Sequence, residues 1–389
     1  MVHTGARYHT QDTGYYCGAA AAMMILAEIG VPYSSLDQDD LYNSNHNNNV
    51  QSGWYTDPYG LRHTLVDNRP SGFTNTFAVQ KPTSEAAGTR KIVYTLHEYE
   101  VSPAVLVFGC AHWIVVPGVQ TDVEPVSGAA YTVQGFWIHN SVAQDNEPHS
   151  ATDVCGSGGA SGNANDYITY ANWQNNYFTG CNYDDPSGNR QYISVCDPDE
   201  PDLKLPLRAA KKFLFDGREL IARERAISIS QESIKAHNLL EDKRVAKIVD
   251  SGEPGKPMPV LRLDRANSYY YLVPWEHHGR IAALTQVDAR FGEFQGLHLR
   301  DSPLEREFLQ RDEVLKSIAN EKIQLPDMMG RIKLDPEIAC LSPTLVWQPC
   351  WESWSPHLPF FQFTIGEHKL YVRSDGEVFQ NLTTTGRGT

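Results

Sequence analysis

Gln11-Asp12-Thr13-Gly14-Tyr15-Tyr16-Cys17-Gly18-Ala19-Ala20-Ala21-Ala22-Met23-Met24-Ile25-Leu26-Ala27-Glu28-Ile29 decides how the first half of this chain folds. From Cys17 onward it is built mostly of good helix formers. Gly30 then stops the helix, and Pro32 lies just beyond. The helix is apolar almost all round, which predicts burial on every side rather than an exposed stripe. Its first residue is a cysteine. Unpaired N–H groups and the helix dipole at that end favour negative charge, so the position favours a thiolate over a thiol of ordinary pKa about 8.5. The same N–H groups suit an oxyanion formed when sulfur attacks a carbonyl. Gln11 lies six residues upstream, and its amide is a candidate second donor. A blander reading of Cys17 as a small buried core residue stands beside this one.

A nucleophilic cysteine needs a base and a group to orient that base. Ala104-Val105-Leu106-Val107-Phe108 reads as a buried strand, and His112-Trp113-Ile114-Val115-Val116 as the next, with His112 at its mouth. A third strand runs from Tyr131 to Ile138, followed by His139 and Asn140. If the strands at 112–117 and 131–138 pair as a hairpin, the start of one meets the end of the other. Asn140 then lies beside His112. His139 is the rival, and strand alternation puts the two on opposite faces, so only one of them points at His112.

Elsewhere in this half, residues 34–52 read as a polar loop, 59–66 as a short helix, 73–79 as a strand, and Thr83 to about Glu98 as a helix. Residues 143–165 read as a loop, 172–178 as a helical turn and 192–195 as a last strand. The acidic, proline-punctuated run Asp197-Pro198-Asp199-Glu200-Pro201-Asp202 marks a boundary, giving domains at 1–203 and 204–389. Charge divides at the same place. Residues 1–200 hold 7 Lys and Arg against 21 Asp and Glu, a balance of −14, while residues 201–389 hold 26 of each. An acidic half is a poor partner for phosphate, so nucleic acid is not expected. The expected partner is a protein or peptide substrate, with the two domains packed on each other.

The second half predicts helices near 207–215 and 231–240. Strands follow near 259–263, 268–273, 280–287, 344–347, 359–364 and 368–372, with a hairpin turn at Ser374-Asp375-Gly376-Glu377. That is an α+β pattern with an antiparallel sheet. Trp347, Trp351, Trp354, Phe360 and Phe361 are expected to form its core. Trp275-Glu276-His277-His278 lacks the carboxylate spacing of a metal site. Gly252-Glu253-Pro254-Gly255-Lys256-Pro257 reads as a turn, not a phosphate loop. No metal or organic cofactor is expected. Seven cysteines leave at least one without an intramolecular disulfide partner, and a bridge among Cys155, Cys181 and Cys196 would staple a loop. No apolar run is long enough to span a membrane, and the first residues lack a signal-peptide core. A cytoplasmic chain, leaderless export or a leader already removed all fit.

Taken together, Gln11, Cys17-Gly18 at a helix start, His112 leading an apolar strand and Asn140 ending the next resemble the papain-fold cysteine peptidases. The stretch Tyr15-Tyr16-Cys17-Gly18-Ala19-Ala20-Ala21-Ala22-Met23-Met24-Ile25-Leu26 is similar to their bacterial branch, the double-glycine leader peptidases of bacteriocin exporters. The likeness covers about residues 8–200. It implies a papain-like fold, with a helix carrying the cysteine packed on an antiparallel sheet carrying His and Asn. It also implies Cys17 as nucleophile, His112 as general base and acid, Asn140 as orienter and Gln11 as oxyanion donor. Three departures bear on the substrate: Ala19 stands where many relatives have Pro, Asn140-Ser141 where many have Asp-Pro, and no transporter or ATPase part is present. The expected activity is a thiol peptidase acting through a thioester. An amidase or acyl transferase with the same site, and a dead peptide-binding scaffold, are the alternatives. In the second half, Tyr271-Leu272-Val273-Pro274 with 282–288 and Gly292 is similar to the hairpin of inhibitor-like and PepSY-like domains. That likeness implies a C-terminal α+β accessory domain with a substrate-docking or inhibitory role.

Overall fold

In a computed structural model, residues 2–125, 130–141, 163–197, 219–278, 280–300, 343–365, 368–384 and 388 are described, with short pieces at 313–315, 318, 322–324 and 331–333. The chain is mixed α and β, with mostly antiparallel strands. It divides into two compact units. One comprises Met1–Asp216, Gln295–Leu304 and Thr385–Thr389; the other comprises Gly217–Phe294 and Glu305–Thr384. The boundary expected at 203/204 lies outside the described residues, as does the helix expected at 207–215. The first unit also takes in two later pieces of chain, which no composition shift marks.

The first unit is built around α1 (Cys17–Glu28), preceded by β1 (Val2–His3). Two further helices follow, α2 (Gln38–Asn47) and α3 (Pro58–Asn68). Then come β2 (Ala78–Gln80), α4 (Glu85–Tyr94) with a π-helical turn at Thr95–Tyr99, β3 (Ala104–Val107), β4 (His112–Thr121), β5 (Val133–Asn140) and β6 (Asn163–Thr169). A short turn α5 (Tyr170–Asn172) and a π-helical turn at Trp173–Tyr177 lead to β7 (Ser194–Cys196). The sheet order is β6-β5-β4-β3-β7-β2, and β1 pairs with β4.

Side-chain alternation along β3 and β4 sorts the unit into layers. Ala104, Leu106, Trp113 and Val115 face the cluster that holds α1. Val105, Val107, Ile114 and Val116 face the other cluster, with Ile92, Val93, Leu96 and Trp173. Leu41 from α2, and Leu61 and Leu65 from α3, join the α1 cluster, so Cys17 through Leu26 are buried on every side, as the unstriped sequence predicts.

Residues 34–52 depart from expectation. They hold a helix, α2, where a loop is predicted. Asp37 caps it, accepting from the N–H groups of Asp39 and Asp40 at 2.8 and 3.2 Å. Gln38, Leu41 and Asn45 are buried, so tertiary packing and the cap outweigh the weak helix propensity of the Asn-rich run. Ordered strand at 73–79 shrinks to Ala78–Gln80.

The second unit opens with α6 (Arg223–Ala236) and α7 (Lys243–Ser251), the latter unforeseen. The strands β8 (Glu253–Pro254), β9 (Met258–Arg262), β10 (Tyr269–His277) and β11 (Arg280–Asp288) follow, and β9-β10-β11 pair antiparallel. The next strand, β12 (Phe294–Leu299), takes the chain back into the first unit, where Gly296 and Leu297 pair with Ile168 and Tyr167 of β6. After the small hairpin β13 (Lys322–Gln324) and β14 (Arg331–Lys333), the strands β15 (Thr344–Trp347), β16 (Phe360–Ile365), β17 (His368–Arg373) and β18 (Val378–Phe379) pair in sequence. Gly376 at φ +96° makes the expected turn between β17 and β18. Trp347, Trp354, Phe360 and Phe361 are buried, and Trp351 is half-buried.

Candidate active site

The β3–β4 hairpin is closed by Phe108-Gly109-Cys110-Ala111, with Val107 opposite His112. Phe108, Gly109 and Cys110 all adopt positive φ. Cys110 is tied to Cys181 by a disulfide. The bridge expected among Cys155, Cys181 and Cys196 therefore takes a different partner: Cys181 reaches back to the hairpin, and Cys196 is a buried thiol. Cys155 lies outside the described residues.

β4 and β5 pair antiparallel, with Val115 opposite His139 and Gly118 opposite Trp137. This register brings the start of β4 to the end of β5. Asn140 Oδ1 sits 2.8 Å from Nε2 of His112. His139 faces the other way, and its Nε2 meets the carbonyl of Ala6 at 3.0 Å. The choice between the two neighbours falls to Asn140. With Nε2 donating to Asn140, Nδ1 is the basic nitrogen of the His112 ring.

Cys17 approaches the same strand. The backbone N–H of Trp113, the residue after His112, donates to Cys17 Sγ at 3.2 Å. No side chain caps the first turn of α1. Burial nevertheless pushes the Cys17 thiol well above the ordinary range, and the N–H groups of Trp113 and Gly18 pull it back only in part. A thiolate favoured by the helix start alone is thus not what the structure gives. Desolvation outweighs the dipole, and the resting thiol keeps its proton.

Gln11 is fully buried. One N–H of its amide donates to the carbonyl of Thr13 at 2.8 Å, and its Oε1 accepts from the Ser141 hydroxyl at 3.4 Å. This fixes the amide with its oxygen toward Ser141 and leaves the second N–H of Nε2 to donate elsewhere. Cys17, His112 and Asn140 are buried to the same degree.

One contributor, Thr56, carries no sequence signal. Thr56 packs its side chain against Gly18, where a Cβ would come within 2.5 Å of it. Its carbonyl accepts from the Trp113 indole at 3.0 Å. Thr56 thereby joins the cysteine helix to the histidine strand. In the second unit, the rings of His277 and His278 lie 4.0 Å apart at the end of β10. Among the described residues no three His, Cys, Asp or Glu converge as a metal site would require.

The chain matches no family model, no curated protein and no solved structure.

Proposed function

We propose that this protein is a papain-type thiol hydrolase that cleaves peptide bonds through a thioester. The observation that carries the reading is the pairing of His112 Nε2 with Asn140 at 2.8 Å on the strand whose next N–H holds Cys17 Sγ at 3.2 Å. A merely structural cysteine has no use for an oriented imidazole two bonds along the same backbone.

Chemistry follows from the protonation states. The resting thiol is neutral, because burial disfavours charge on sulfur. Substrate binding lets Nδ1 of His112 take the thiol proton as sulfur attacks the carbonyl carbon. The oxyanion is held by the second N–H of Gln11 and by the N–H groups at the start of α1. Collapse expels the amine, which receives the proton from His112. Water then attacks the thioester, His112 takes its proton and returns it to sulfur, and the acid is released. Asn140 keeps the ring in the tautomer both steps need.

The test is turnover of a mixed peptide library, with new termini read by mass spectrometry. The wild type should generate new termini, and Cys17→Ala and His112→Ala should each generate none. Equal cleavage by the wild type and Cys17→Ala would refute the proposal.

A further inference from the structure

Gly388 lies far along the chain from the catalytic residues, yet it belongs to the first unit and is buried there. Its N–H donates to the carbonyl of Cys110 at 3.1 Å, two residues before His112. On its other side stands Thr56, the residue that leans on Gly18 at the start of the cysteine helix. A Cβ added to Gly388 would lie 2.0 Å from the Thr56 carbonyl oxygen and 3.2 Å from the Trp113 indole nitrogen. Gly388 also holds φ at +65°. Both the space and the backbone conformation thus admit glycine and reject other residues. One wall of this slot belongs to the histidine strand and its hairpin, and the other to the element packed on the cysteine helix. A peptide running between those walls is what a thiol peptidase would grip, through backbone hydrogen bonds to an extended substrate.

Resting on the thiol-hydrolase reading, we infer that Gly388 makes this chain its own inhibitor: its peptide unit occupies the substrate slot between Cys110 and Thr56 and must leave before substrate enters. The full burial of Cys17, His112, Asn140 and Gln11 agrees with an occupied site. Among the described residues, Gly388 is held by a backbone hydrogen bond to Cys110 and a close steric fit against Thr56.

The experiment measures the rate at which an epoxide thiol inhibitor labels Cys17 in the full chain, with the site mapped by mass. Wild type is compared with Gly388→Val, which the slot cannot hold. Labelling should accelerate about tenfold or more in the variant. A synthetic peptide of residues 382–389 added to Gly388→Val should slow labelling again, whereas the same peptide carrying Val at the Gly388 position should not. An unchanged labelling rate in Gly388→Val, with Cys17 still the labelled residue, overturns self-inhibition and leaves the thiol-hydrolase reading standing. Absence of label on Cys17 in both proteins overturns that reading, and self-inhibition with it. Loss of Thr389 during incubation of wild type but not of Cys17→Ala would make the segment a substrate and overturn its role as inhibitor.

Discussion

Asn140 and His139 are neighbours in sequence, and the pleat of β5 sends them to opposite duties. Asn140 meets the imidazole of His112, and His139 bonds the backbone at Ala6. Asn140→Ala should therefore lower kcat by roughly tenfold to a thousandfold with KM little changed, because it frees the ring to turn. His139→Ala should change kcat less than about threefold and cost about 1 kcal/mol of stability through its lost hydrogen bond. Steady-state kinetics and denaturant unfolding of the two variants separate these roles; the reverse pattern would reassign the orienter. Asp197 makes a second test at this scale. Burial pushes its carboxyl up to about 6, against the opposing pull of Asn75 and Arg69. The folded state thus holds the proton more tightly than the unfolded chain, whose Asp titrates near 3.9. Its contribution is complete below about pH 4 and is lost as pH rises through about 6. Asp197→Asn should flatten that part of the stability profile, by about 1 kcal/mol across the window. Thermal melts at half-unit pH steps would show it, and an unchanged slope would contradict it. The meeting of His112 with Asn140 was legible, because pairing the two strands as a hairpin brings the start of one to the end of the other. The protonation state of Cys17 was not, because desolvation depends on what covers the helix start, and no local motif records that.

Among the elements, α1 is legible because a helix apolar on all faces has to be buried. The strands β3, β4 and β5 are legible because each is a short apolar run, and the expected hairpin of β4 with β5 forms. α2 is different: its residues are poor helix formers, and it forms because Asp37 caps it and α3 packs on it. The α2–α3 contact is tight at Gly60, where a Cβ would lie 2.2 Å from the Asn45 carbonyl oxygen. Backbone cannot yield there as a flexible side chain would. Gly60→Ala should cost about 1–3 kcal/mol and loosen α2 selectively. Hydrogen exchange should show faster exchange in α2 with α1 still protected, and unchanged protection in α2 would show that the helix does not depend on this contact.

At the scale of the whole molecule, the disulfide between Cys110 and Cys181 spans 71 residues of sequence and anchors the hairpin that leads into His112. Sequence alone could not pair these cysteines, since the choice depends on which loops the sheet brings together. Removing the bridge by Cys181→Ala should lower stability by about 2–4 kcal/mol, read as a reduced Tm that reductant no longer shifts. The return of β12 and of Gly388 to the first unit was not legible, because pairing over such distances leaves no mark in local sequence. The claim on which the rest depends is that Cys17 is the activated thiol of a Cys-His-Asn site. Mass mapping of an epoxide thiol inhibitor on the folded chain tests it most directly, since Cys196 and Cys350 are buried thiols too. The account predicts a single adduct, on Cys17, formed by the wild type and lost in His112→Ala. An adduct on Cys196 or Cys350 with Cys17 unmodified, or labelling of Cys17 that does not depend on His112, would contradict it.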